Sequence, residues 1–166
     1  MRRPLSAELL DNTMTGDARR PNYKELIPEL RSYPDDVGAA VEVWLTNFGR
    51  YDHAAAYASL FWPGFTEIDG CVLLGDRVPE TYAEWKAQLD GDLSAIESVL
   101  NHRHLSNLFM RAPERHLELL KHLGEVLRDM WAAKLHQDFS DRQFVVTFNS
   151  GADDPEITFC SRRRDV

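Results

Sequence analysis

Phe65-Thr66-Glu67-Ile68-Asp69-Gly70-Cys71-Val72-Leu73-Leu74 reads as a complete β-hairpin. Both arms are rich in strand formers, and the Asp-Gly pair between them is a favoured type I′ turn, whose two central residues need positive φ. A second hairpin closes the chain. Phe144, Val146 and Phe148 alternate with Val145 and Thr147, and Ile157 and Phe159 alternate with Thr158. A polar loop from Asn149 to Pro155 joins the two runs, with Gly151 available for the turn.

Outward from the first hairpin, the pattern changes from period 2 to period 3.6. Upstream, Val37, Val41, Trp44, Leu45 and Phe48 recur at helical spacing behind Pro34-Asp35-Asp36, with Gly49 as a stop. Asp52 is placed to cap a second helix, His53 to Trp62, ended by Pro63-Gly64. Downstream, Pro79 suits the first turn of a helix carrying Tyr82, Trp85 and Leu89. Asp90-Gly91-Asp92 breaks it and caps the next, whose apolar side holds Leu93, Ile96, Leu100 and Leu108. Pro113 opens the longest helix, to about Phe139, with Leu117, Leu120, Leu123, Leu127, Met130, Trp131 and Leu135 as its stripe.

Two hairpins and about five helices that do not alternate as βαβ units imply an α+β fold. The expectation is a small antiparallel sheet with the helices packed mainly on one face. Trp44, Leu45, Leu120, Leu127, Phe144, Val146 and Phe159 are its expected core. Residues 1–22, with Pro4, Gly16 and Pro21, read as an N-terminal tail or loosely docked arm. Residues 23–160 read as one globular domain, and 161–166 as a basic C-terminal tail.

The chain has 166 residues, 43% hydrophobic and 28% charged, an ordinary globular composition. No apolar run approaches the ~20 residues of a membrane span, and the basic start has no apolar stretch behind it. Cys71 and Cys160 are far apart in sequence, which suits reduced thiols. A cytoplasmic location is the corresponding expectation.

The formal net charge is −8. Residues 1–22 sum to +1 and residues 161–166 to +2, so residues 23–160 carry −11. A body of that sign repels nucleic acid and anionic membrane and attracts basic proteins. Against it, Arg162-Arg163-Arg164 is a short solvated run rather than a phosphate site.

The phosphate loops G-x-x-x-x-G-K and G-x-G-x-x-G are absent, as is the nucleophile elbow G-x-S-x-G. Cys71 and Cys160 lie in apolar strand contexts, which disfavour a thiolate nucleophile. Asn101-His102-Arg103-His104 is the densest polar feature. His-x-His converges on a strand, where alternate side chains share a face. On a helix two residues turn the direction by about 200°, so the imidazoles point apart. The helical context therefore leaves His102 and His104 as weak metal candidates, usable only if the helix ends before His102.

Glu114, Glu118, His122, Glu125 and Asp129 share one stretch of the long helix. Lys121 and Arg128 interleave with them, so Glu118–Lys121 and Glu125–Arg128 read as pairs on a solvated face. Tyr57, Phe61, Trp62 and Phe65 surround Pro63-Gly64. They are expected in the core, with Trp62 the exception, because it sits where the chain turns.

Two functions follow. The first is an acidic inhibitor, immunity-like module or adaptor that docks a basic partner through Asp69, Asp76, Glu80, Glu84 and Trp62. The second is a small metal-dependent enzyme or metal-binding protein using His102, His104 and nearby carboxylates. The first is preferred on sequence, with no catalytic residue, cofactor or assigned metal, no nucleic acid and no membrane.

Overall fold

A computed structural model describes residues 22–33, 37–109, 117–151 and 154–162. The described residues fall into two compact units, one up to Asn47 and one from Phe48 onward. No described helix is long and apolar enough to cross a membrane. The tail read at 1–22 lies outside the described residues except for Asn22, as do Pro34-Asp35-Asp36, Pro113, Glu114 and residues 163–166.

The first unit opens with α1 (Tyr23–Leu26), whose N-cap Asn22 accepts from the Lys24 backbone N–H. A short 3-10 turn follows at Pro28–Ser32, and then α2 (Val37–Phe48), which runs across the division between the units. Trp44 is half-buried and Leu45 is 52% exposed, so Leu45 is not the core residue its spacing suggested. A helical stripe shows which residues share a face but not whether another element covers it.

The second unit begins with α3 (Tyr51–Phe61), followed by β1 (Phe65–Ile68) and β2 (Cys71–Leu74). The turn has the expected form: Asp69 and Gly70 both have positive φ, and Ile68 pairs with Cys71. Then come α4 (Tyr82–Gln88) and α5 (Leu93–Leu100), the latter capped by Asp92, which accepts from Ala95 N–H. The structure next departs from the sequence reading. The helix stops at Leu100, and Arg103–His104 form a short strand, β3, ahead of α6 (Leu105–Leu108). The long helix, α7 (Leu117–Asp138), leads to β4 (Phe144–Asn149) and β5 (Glu156–Ser161). β5 thus takes in Ser161, the first residue of the segment read as a tail.

The strands form two antiparallel sheets, β1-β2 and β3-β5-β4. The α+β class and the two hairpins are as expected, and β3 adds a third strand to the second one. α7 lies on one face of that sheet. Leu127, Trp131 and Leu135 are fully buried there with Ile157 and Phe159, while Leu120, Phe144, Val146 and Phe148 pack around them. Gly124 permits this approach, because a Cβ built there would lie 2.1 Å from the Phe148 ring. The other face of β2 carries Cys71 and Leu73 into a second cluster with Tyr82 and Ile96.

α5 runs along the facing edges of β2 and β5, and two of its buried polar residues join them. Glu97 accepts from the backbone N–H groups of Val72 and Ser161 and from the Ser161 hydroxyl. Asn101 accepts from Leu74 N–H and donates to the carbonyls of Val72 and Phe159. These side chains do for two sheet edges what a further strand would do, since an unpaired edge left buried is costly.

Candidate metal centre

The end of α5 makes the site. Asn101 turns its amide into the core, and the Arg103 guanidinium donates to the carbonyls of Leu100 and His102. These bonds take up carbonyls that a continuing helix would have used. Leu105 N–H donates to Pro155 O at 2.9 Å, and β3 pairs with the start of β5 in the register Arg103↔Ile157 and His104↔Glu156. The condition for convergence, a helix that ends before His102, is met. The imidazoles do not point apart: on an extended chain, residues i and i+2 share a face. The two rings stack with centroids 4.7 Å apart and planes at 28°.

Strand pairing places Glu156 directly opposite His104 on this face. His102 Nε2 lies 3.7 Å from one Glu156 carboxylate oxygen, and His104 Nδ1 lies 3.6 Å from the other. Asp154, two residues earlier, brings Oδ2 to 3.1 Å from His104 Nδ1. That separation would suit a hydrogen bond, yet Nδ1 has no aligned partner, so the approach is off the axis along which a ring N–H donates. His102 Nε2 and His104 Nδ1 are the two shielded side-chain polar atoms, among the described residues, that lack a hydrogen-bond partner. Their rings are otherwise partly open to solvent, at 37% and 41% side-chain exposure. Ligand atoms of His102, His104 and Glu156 all lie within 4.8 Å of one another.

Sequence reasoning named the histidines but missed Glu156 and Asp154. The available signal was weak. Asp154-x-Glu156 has the same i,i+2 spacing as His102-x-His104, and it sits where a loop enters a strand.

The other candidates are scattered. Asp69 sits at the turn as expected, but Lys86 Nζ is 2.6 Å away and the Tyr82 hydroxyl donates to it. The Lys86 ammonium holds the Asp69 carboxyl below the usual range, so its charge is largely matched. Asp76, Glu80 and Glu84 are exposed, with exposed Arg77 among them. Trp62 is 42% exposed, and the Lys134 ammonium lies 5.8 Å from its ring centroid. Tyr57 is exposed rather than core, whereas Phe61 and Phe65 pack against the main cluster. On α7, Glu118 pairs with Lys121 as expected, but Arg128 bonds Asp129 rather than Glu125. Burial pushes the thiols of Cys71 and Cys160 up, away from the thiolate.

Comparison with protein-family models, with curated proteins and with solved structures finds no match for this chain.

Proposed function

We propose that the protein binds a divalent transition-metal ion, zinc by the character of its donors, through His102 Nε2, His104 Nδ1 and a Glu156 oxygen. The observation that carries this reading is the pair of shielded imidazole nitrogens without hydrogen bonds. A shielded polar atom with no partner costs about 1–3 kcal/mol, and a bound ion would recover that cost.

The spacing supports the same reading. Zinc ligands at ~2.0–2.2 Å in a tetrahedron are separated from one another by roughly 3.3–3.6 Å. The nitrogen–oxygen separations of 3.6 and 3.7 Å run to the two different Glu156 oxygens, so each imidazole has a carboxylate oxygen at about that distance, and a small rotation of the carboxylate would bring one oxygen to both. In such a shell each lone pair points at the ion and not at the neighbouring ligand, which accounts for close contacts that are not hydrogen bonds. Imidazole with carboxylate suits zinc among the available divalent ions, and thiolate is not among the donors.

The test is calorimetric titration of chelator-stripped protein with zinc, together with elemental analysis. One ion per chain is expected, with affinity at least 100-fold lower in His102→Ala and His104→Ala. Absence of stoichiometric binding, or unchanged affinity in both variants, would overturn the reading.

Docking of a basic partner stays as the second reading, supported by the exposure of Asp76, Glu80 and Glu84. It predicts that neutralising the three together slows association and flattens its salt dependence.

A further inference from the structure

β4 is the last strand of its sheet, and its register with β5 fixes which backbone groups it leaves free. Arg162 N–H donates to Gln143 O at 2.8 Å, which makes Gln143 and Arg162 a hydrogen-bonded pair. In an antiparallel ladder every second pair is of that kind. Val145 and Thr147 therefore bond β5, whereas the N–H and C=O groups of Phe144, Val146 and Phe148 point out from the open edge. β5 shows the same phase: Ser161 N–H and the Phe159 carbonyl turn away from β4, to Glu97 and Asn101. Among the described residues nothing bonds the outward groups of β4.

Edge strands are commonly guarded by a lysine, a proline or a bulge. Phe144-Val145-Val146-Thr147-Phe148-Asn149 has no charge and no proline, and its register with β5 runs without a bulge. A cavity of about 410 Å³ opens at the start of this edge, between β4 and the last turns of α7. Ala132, Leu135 and Phe144 give it an apolar side, and His136, Arg142 and Arg162 a basic one. Arg142 is engaged with Glu67 and the Gly70 carbonyl, but the Arg162 side chain is exposed and bonds no described residue.

We propose that the β4 edge takes up one extended segment of a partner protein by strand addition, with an aspartate or glutamate of that segment in the cavity, paired with Arg162. Strand addition draws affinity from main-chain hydrogen bonds and specificity from pockets for alternate side chains. The unpaired Arg162 guanidinium selects an acid at that pocket. A second copy of this chain is a poorer occupant. α7 lies over β4, with Gly124 against Phe148. Antiparallel pairing of two β4 edges would set both α7 helices on one face, over strands ~4.8 Å apart, and packed helices need about 8–10 Å. A bare strand brings no helix with it.

The experiment selects binders to the full chain from a displayed library of random decapeptides, then measures the enriched peptides against wild type, Val146→Pro and Arg162→Glu. The enriched peptides should alternate apolar residues and carry one aspartate or glutamate. Their binding should slow amide exchange at Phe144, Val146 and Phe148. Val146→Pro removes an outward N–H and leaves the ladder to β5 whole, so affinity should fall at least about 10-fold. Arg162→Glu, on an exposed side chain, should weaken the acidic peptides by a similar factor and bind versions with lysine at that position more tightly than wild type does. If Val146→Pro does not fold, the exchange pattern and the Arg162→Glu reversal still decide the matter. A library that yields no binder, peptides that protect other amides, or affinities equal in both variants would overturn the proposal. So would a wild-type dimer in sedimentation that Val146→Pro dissolves, because a second copy would then hold the edge.

Discussion

Glu97 and Asn101 stand one helical turn apart on α5, and His102 and His104 follow directly after it, yet their polar atoms meet opposite fates. The first pair is fully buried, and its polar atoms bond the edges of two sheets. The second pair is only partly buried, but each ring has one shielded nitrogen without a hydrogen bond. Burial alone would point to Glu97 as the functional group. Accounting for partners reverses that choice. A buried polar group with a full set of partners is part of the scaffold, and a shielded one without them is the group that calls for an explanation.

The sharpest way to break this contrast is Glu97→Ala. It strands two backbone N–H groups and a hydroxyl, and it leaves Arg142, 3.6 Å from the carboxylate, with one fewer acidic neighbour. Denaturant melts should show a loss of about 3–5 kcal/mol, the usual cost of removing one partner of a buried charged network. A loss below 1 kcal/mol would mean that Glu97 does not join the sheets.

Leu127→Ala provides a packing reference with no polar component. Leu127 is fully buried in the main cluster, so the expected loss is about 2–5 kcal/mol by the same measurement. A loss under half a kilocalorie would show that α7 presents a different face.

Alkaline titration probes the other satisfied polar group near β2. Burial, reinforced by negative charge at Cys71 and Asp69, pushes the Tyr82 hydroxyl up to about 12. The folded state therefore holds this proton more tightly than the unfolded chain, whose tyrosines titrate near 10. The resulting stability is present below about pH 10 and is lost as pH rises toward 12. Cys71 and Cys160, also raised, act with the same sign. In Tyr82→Phe the fall in melting temperature between pH 10 and 12 should be shallower than in wild type. An equal slope would place the titrating group elsewhere.

The smallest effect is expected at the histidines. In metal-free protein, His102→Ala with His104→Ala should lower stability by no more than about 0.5–1 kcal/mol, because the lost packing is offset by removing two shielded nitrogens that lack partners. A loss as large as that of Glu97→Ala would make them scaffold and erase the contrast.

The elements were legible where local chemistry decides them. Asp69-Gly70 has the positive φ values that a type I′ turn demands, and the alternation at Phe144 to Phe148 matches the observed pairing with Ile157 and Phe159. Asp92 caps α5 as its position implied. Legibility ended at Leu100. Leu108 has helical spacing from Leu100, so periodicity carried the helix on through His102. What stops it is distant in sequence: Val72 and Phe159 take the Asn101 amide, and Pro155, Glu156 and Ile157 take the backbone after it. The site followed the same division. His102 and His104 were identified as a pair that only an extended chain could use, and Glu156 and Asp154 were not identified at all.

The sequence by itself determined the hairpins, most of the helices, the acidic charge and the chemical identity of the donors, because turn geometry, periodicity and side-chain chemistry act over a few residues. Only the tertiary structure decided that the chain after Leu100 is extended and that an Asp-x-Glu pair lies against the His-x-His pair. Both outcomes depend on strand pairing between segments about fifty residues apart, and such pairing is set by which buried backbone groups find partners, not by anything local to either segment.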